Sequence, residues 1–264
     1  DKQLVEHRLY ELFSNNFNGS VIEWLDKITA EIKNLWQENR VPIVAGGTGF
    51  YIENLIKGTT PVPETSAQAH EQTMALLAEI GVQALHKKLA EVDAITAAKL
   101  SENDTTRVRR AYEVWLDTGV PLSVWHRKPM IKKLPEANFF VIKIVPNLAE
   151  LEERCNLRFD LMMKQGALAE VETLAHTVAD RNLPAMKALG VPELLDFVDG
   201  KSSLTEAVAL AKLHTRQYAK RQLTWFRNRT KAEFVLNHSY RTDKETIKNI
   251  IFNVKNYYRG CTNS

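Results

Sequence analysis

Cysteine is almost missing from these 264 residues: Cys155 and Cys261 are the only two, far apart and without metal-ligand spacing. That excludes a disulfide framework and a zinc site, and points to a reducing cytoplasm as the compartment. Long apolar runs are missing too; nothing approaches the ~20 residues a bilayer span needs, and no signal peptide is expected. No internal repeat or low-complexity tract interrupts the chain. The phosphate-loop pattern G-x-x-x-x-G-K-[ST] occurs nowhere. The scarcest local commodity is acid: residues 212–231 carry seven Lys or Arg and no Asp or Glu. What remains is an ordinary soluble composition, 44% hydrophobic, sufficient for a real core. The net charge of +3 is weak evidence for an anionic partner, so the distribution of charge matters more than its sum.

Residues 20–39 place Ile22, Leu25, Ile28, Ile32 and Leu35 at helical spacing behind a Ser20 N-cap. VPIVA, 41–45, is a continuous apolar run, which predicts a strand buried on both faces of a parallel sheet. FFVIKIV, 139–145, predicts a second buried strand and FVLNHS a last one. Polar, proline-bearing segments at 59–67 and 126–137 bracket a stretch that reads as helical, with Gly81 and Gly119 as C-terminal caps and Asn103 or Asp104 as an N-cap. Helices are predicted from about Leu148 to Lys164, across ALAEVETLAHTV, across LTEAVALAKLHTRQYAKRQLTWFRNR and across ETIKNIIFNVKNYYRG. The expected architecture is an α/β core with a parallel sheet over 1–62 and 138–264, and a mostly helical insert over 63–137.

Three constellations could carry chemistry. On KLHTRQYAKRQLTWFRNRTK, Lys212, Arg216, Lys220, Arg227 and Lys231 fall within about 100° of arc, opposite Ala211, Tyr218 and Trp225. A solvated helix normally mixes signs, so a one-sign ridge favours a polyanion over a plain surface face. In NDTTRVRRAYEVW, Arg107, Arg109 and Arg110 crowd the start of a helix against its dipole, which fits either a ligand or pairing to a carboxylate such as Glu113. In AGGTGF, Gly46, Gly47 and Gly49 surround Thr48 between strand and helix; the turn serves either close approach of an anion or base, or only a tight connection. His86 and His176 read as surface or packing residues, and Asp93 and Asp160 have no evident partner. Trp24, Trp36 and Trp115 fit core stripes, whereas Trp125 could stack on a base.

Five segments in order resemble the tRNA dimethylallyltransferase (tRNA isopentenyltransferase) family: VPIVAGGTGFYIENLIKG, SENDTTRVRRAYEVWLDTG, RFDLMMKQGALAEVETL, LPAMKALGVPELLDFVDGK and TRQYAKRQLTWFRNR. The resemblance implies a P-loop-NTPase-like α/β core that binds dimethylallyl diphosphate with Mg²⁺, and a helical insert that grips a tRNA anticodon stem-loop. It implies transfer of the dimethylallyl group to N6 of a flipped-out adenosine 37, with release of diphosphate. It puts Thr48 at the acceptor adenine. Thr106, Arg107, Val108, Arg109 and Arg110 would face tRNA, with His70 where many members carry arginine. Arg216, Lys220, Arg221, Gln222 and Arg227 would serve tRNA phosphates or the diphosphate, with Lys187 also beside the diphosphate; no metal ligand is expected in this chain. The family's P-loop and the Asp-Ser pair supplying its general base are absent, and Val191 and Pro192 stand where Tyr and Lys are usual. Because the chain starts at Asp1 rather than Met, the expectation is that those motifs precede it in a longer polypeptide. A cytoplasmic monomer is expected. A non-catalytic tRNA-binding homologue, an adenylate isopentenyltransferase and a nucleotide kinase remain the alternatives.

Overall fold

The structure is a computed structural model, and it describes residues 5–10, 12–17, 19–239 and 244–262. The chain divides into two compact units, Asp1–Glu53 with Leu134–Ser264, and Asn54–Lys133.

In the first unit, Ser20 caps α1 (Val21–Gln37) with a capping box: its hydroxyl accepts from Glu23 N while the Glu23 carboxylate returns to Ser20 N. Leu25, Ile28 and Ile32 bury the inner stripe, but Trp36 is exposed near the helix end rather than in the core. Residues 41–46 form no strand. Among the described residues they have no ladder partner, and Val41, Ile43 and Val44 lie exposed, Ile43 by 90%. An apolar run becomes a buried strand only if neighbouring strands take its backbone groups and layers cover its faces. Here the described sheet has two strands, β1 (Ile142–Ile144) and β2 (Phe234–Leu236), paired in parallel with Lys143 opposite Val235. β1 is therefore shorter and more open than FFVIKIV suggests: Ile142 and Ile144 are exposed, and only the following Val145 is buried.

Most of this unit's core is helical. α7 (Leu148–Lys164), α8 (Ala167–Thr177), a 3₁₀ turn (Pro184–Lys187), α9 (Val191–Val198) and α10 (Leu204–Arg229) enclose Phe159, Val171, Leu174, Met186, Leu194 and Ala211. Gly190, at φ +91°, turns the chain into α9 directly against Phe159; a Cβ there would lie 2.7 Å from the ring. A second capping box, Ser203 with Glu206, starts α10. Proline and valine at the first turn of α9 are helix-compatible, since Pro192 lacks only an N–H the helix would leave unpaired. α11 (Lys244–Thr262) also belongs to this unit, and α2 (Gly49–Lys57), which begins at the glycine turn, runs across the division at Glu53. Among the described residues no helix is long and apolar enough to cross a membrane.

The second unit is helical. α3 (Ala67–Val92) breaks at Gly81, whose φ of +77° and ψ of 168° are non-helical. α4 (Ala94–Ala97), α5 (Thr105–Thr118) and α6 (Leu122–Trp125) follow. Asp104 rather than Asn103 caps α5, accepting from Arg107 N, and Gly119 closes it in the left-handed conformation. Leu85, Leu89, Ala97, Val108, Ala111 and Tyr112 form the core. His86 is structural: its Nε2 meets the carbonyls of Ala97 and Leu100 at 3.0 and 3.3 Å.

Asp93 has the partners that sequence spacing did not reveal. Only 3% exposed, it accepts from Thr96 N at 3.0 Å, Thr96 Oγ1 at 2.7 Å and Ser123 N at 2.9 Å, pinning α4 and α6. Burial alone would push its carboxyl up, but the Thr96 and Ser123 donors outweigh that and hold it below the ordinary carboxylate range. Folding thus favours the ionised form, so its contribution is complete above the ordinary range and fades as pH falls through the lowered value. Asp93→Ala should cost about 3 kcal/mol in urea unfolding at neutral pH, because three donors lose a charged acceptor. The difference from wild type should shrink in strong acid; a pH-independent difference would contradict the ionised role.

Candidate nucleic-acid and diphosphate site

The glycine turn lies against the basic helix. Gln222 Nε2 donates to the Gly47 carbonyl at 2.8 Å, and a Cβ on Gly47 would come within 2.6 Å of the same nitrogen. Gly49 is buried under Trp225: a Cβ there would sit 2.2 Å from the indole Cδ1. Neither glycine has positive φ. What the chain needs at 47 and 49 is space, and the groups that use it are α10 side chains. Thr48 is exposed at the start of α2, its carbonyl accepting from Tyr51 N at 3.0 Å and Ile52 N at 3.2 Å, which fixes its backbone. Trp225, placed by the sequence opposite the cation ridge, is half-buried beneath the turn, and Arg229 lies 4.9 Å over its ring. A glycine facing a bulky aromatic across the fold leaves no local pattern, so the sequence could not pair them.

The ridge on α10 is less uniform than its composition. Lys212 is paired to Asp160 of α7 at 2.6 Å, which also supplies the partner Asp160 lacked in the sequence reading. Arg216 donates to Asn156 Oδ1 at 2.8 Å. Lys231 lies beyond the helix end at Arg229 and so leaves the ridge. The acid missing from this stretch of α10 is provided by a neighbouring helix, which single-helix counting cannot register. Lys220, Arg221 and Arg227 stay exposed. With Gln217, Thr224, Trp225, Asn228 and Arg229, Lys220 and Arg221 line a shallow concavity of about 560 Å³ beside the turn. Lys187 is exposed in the 3₁₀ turn, and among the described residues no hydrogen bond or ion pair joins it to α10 or to Thr48.

In the helical unit the three arginines separate into two roles. Arg109 and Arg110 converge on Glu113, which is 4% exposed: Arg109 Nη1 reaches Oε2 at 3.1 Å and Arg110 Nη1 reaches Oε1 at 3.3 Å. Thr65 donates to Glu113 Oε1, and Arg110 also donates to Thr65 Oγ1 at 2.7 Å and the Pro63 carbonyl at 3.3 Å. Burial opposes ionisation of Glu113, yet Thr65, Arg109 and Arg110 together keep it below the ordinary carboxylate range. Arg109 Nη1 also lies 2.8 Å from His70 Nδ1, which is itself 3.4 Å from Glu113 Oε2. Arg107 is instead 72% exposed in its side chain, with only Asp104 at 3.4 Å. Thr106 and His70 are exposed. Val108 is fully buried in the helical core, so direct contact with RNA is excluded and its place in the motif is packing. Trp125 is half-buried with Lys128 Nζ 3.5 Å over its ring, so that face is already occupied.

Comparison with known proteins matches this arrangement to one family. The IPP transferase family profile matches residues 1–229. The tRNA dimethylallyltransferase of Granulibacter bethesdensis is 43% identical over 225 residues, 85% of this chain and 70% of that protein. The Rickettsia felis tRNA dimethylallyltransferase is 36% identical over 247 residues, 94% and 80% respectively. Among solved structures, the full-length tRNA isopentenylpyrophosphate transferase of Bacillus halodurans superposes with a TM-score of 0.64 at 28% identity, covering 97% of this chain and 80% of that one. A eukaryotic dimethylallyltransferase acting on tRNA shares the fold at a TM-score of 0.65 and 22% identity, over 81% and 54%. By profile, by curated relatives along most of its length and by fold, the chain belongs to the IPP transferase family, that of the tRNA dimethylallyltransferases.

Proposed function

We propose that this protein transfers the dimethylallyl group of dimethylallyl diphosphate to N6 of adenosine 37, beside the anticodon of a tRNA. The observation that carries the reading is the Gln222 to Gly47 hydrogen bond, which ties the Thr48 turn to a helix rich in exposed cations. In the reaction an N6–C1 bond forms as the C1–O bond breaks, diphosphate leaves with the bonding electrons, and N6 gives up a proton. In the family pattern that proton goes to the aspartate of an Asp-Ser pair, which does not occur in these 264 residues. The leaving group accumulates negative charge, and fixed cations on α10 stabilise it more than they stabilise the substrate. Thr48, with a hydroxyl that both donates and accepts, orients the acceptor base.

Mg²⁺ belongs to this proposal as a companion of the diphosphate. Among the described residues no group of three or more His, Cys, Asp or Glu is placed to hold a metal ion. Mg²⁺ usually rests on substrate phosphates and one or two carboxylates, which is how it would enter here. The anticodon stem-loop as the RNA element, a cytoplasmic setting and a monomeric enzyme are parts of the same reading.

Incubation of tRNA with dimethylallyl diphosphate should yield N6-dimethylallyladenosine by mass spectrometry of the nucleoside digest, and AMP should not compete as acceptor. No product from the full-length protein would leave a tRNA-binding homologue instead. Preferred modification of AMP would leave an adenylate isopentenyltransferase.

The two arginine roles should separate on mutation. Arg107→Ala should melt like wild type yet lower the salt slope of tRNA binding by about 1. Arg110→Ala should also lose about 1–3 kcal/mol of stability, because Thr65 and Glu113 lose a donor. Equal stability of the two variants would remove the distinction.

Gly49→Ala introduces a methyl where the indole of Trp225 lies. It should cost about 1–3 kcal/mol and reduce turnover by displacing the turn from α10. Thr48→Ala should keep the melting temperature and lower turnover; wild-type turnover in Thr48→Ala would take the hydroxyl out of the reaction.

A further inference from the structure

α11 lies outside the stretch that the family profile matches, which ends at residue 229. At about 100° per residue its sequence KETIKNIIFNVKNYYR divides into two faces. Thr246, Ile250, Asn253, Val254 and Tyr257 fall within about 100° of arc, and all five are buried or half-buried. That face is anchored: Tyr257 donates its hydroxyl to the Phe139 carbonyl at 3.3 Å, and its ring lies 5.0 Å from that of Phe140. Ile247, Ile251 and Tyr258, partly exposed, form one border of it. Lys244, Lys248, Phe252, Lys255 and Arg259 fall within about 80° on the opposite side, and all five are exposed.

The outer face is a ridge of cations about one turn apart, some 22 Å long, with a phenyl ring at its middle. Glu245, the helix's only acid, sits in the first turn, where it suits the dipole. Among the described residues Lys244, Lys248 and Lys255 make no ion pair. Phe252 is 65% exposed, forgoing the burial that the opposite face gives Tyr257. An exposed ring between cations suits one ligand chemistry above others: an unpaired nucleobase stacks on the ring while its flanking phosphates meet the cations. A base inside a duplex is already stacked and cannot offer its face. A helix lying in a membrane surface turns its main apolar face outward, whereas α11 turns that face onto the protein.

We propose that the outer face of α11 is a docking surface for an unpaired stretch of RNA, with a base stacked on Phe252 and the phosphates beside it held by Lys244, Lys248, Lys255 and Arg259. It shares no residue with the α10 concavity or with the arginine cluster at Glu113. The surface stands on its own residues and does not depend on dimethylallyl transfer.

The test is fluorescence-anisotropy titration of the full-length protein with a single-stranded RNA of about 12 nucleotides, a blunt RNA duplex and anionic phosphatidylglycerol vesicles. Phe252→Ala should weaken single-strand binding about fivefold or more without changing its salt slope, and Phe252→Trp should restore it. The double variant Lys248→Gln with Lys255→Gln should lower the magnitude of that slope by about 1.4. Duplex binding should be unaffected by Phe252→Ala. Ultraviolet crosslinking of the single strand should mark Phe252 in the peptide digest. Folded variants that bind single strands like wild type would overturn the proposal. Loss in the lysine variant alone would reduce the ridge to a non-specific charge and remove the stacking base. Vesicle binding that depends on Phe252, with RNA binding unchanged, would assign the face to a membrane instead. Binding is read without dimethylallyl diphosphate, so failure of the proposed reaction and failure of this surface are told apart.

Discussion

The close approach of a glycine turn to a long basic helix is the constraint on which the rest of the candidate site depends. Without Cβ atoms at 47 and 49, the α10 side chains Gln222 and Trp225 reach the turn backbone. The hydrogen bond to Gly47 sets how the turn meets the helix, and the indole under Gly49 excludes water beneath it. In the proposed reaction a turn held in place beside the acceptor base limits positional error, which is expensive in rate. The glycines therefore act through packing rather than through the backbone freedom for which glycine is usually invoked.

The same helix must remain in place while carrying several cations, and its neighbours make that possible. Asp160 neutralises Lys212 and Asn156 engages Arg216, so the part of α10 nearest α7 is held to the core. Lys143 places a cation at the helix C-terminus, where the dipole and the carbonyls favour it. Charge left uncompensated is concentrated further out, at Lys220, Arg221 and Arg227. In the helical unit the division is similar: Glu113 restrains Arg109 and Arg110, and Arg107 extends into solvent. Both units spend some of their arginines and lysines on structure so that the others are presented at fixed positions.

How much of this could be read beforehand follows from where the information lies. Helix limits were legible because they are local: Ser20 with Glu23 and Ser203 with Glu206 write capping boxes, and Gly119 writes a left-handed stop. The five family segments were legible as motifs, and the candidate residues came with them. Strand burial was not legible. VPIVA and FFVIKIV have the composition of buried strands, but burial depends on which strands and layers lie beside them, and Ile43 and Ile142 are exposed. Within a motif, adjacency also misleads. Val108 is flanked by arginines yet lies in the core, because successive helical residues point about 100° apart.

Partners distant in sequence were the larger loss. Asp93 finds Ser123 across 30 residues, Asp160 finds Lys212, and Gln222 finds Gly47 across 175. Each pair is made by an ordinary polar residue whose type is compatible with dozens of surface roles. What distinguishes them is burial or close approach, which only the assembled fold creates. A basic run without acids reads as a free ridge, and yet the cations that remain free are those the fold has left without a carboxylate. For α10 that set, Lys220, Arg221 and Arg227, is smaller than the sequence count and confined to the second half of the helix. Any electrostatic attraction the helix exerts on an anion is strongest there rather than spread along its whole length.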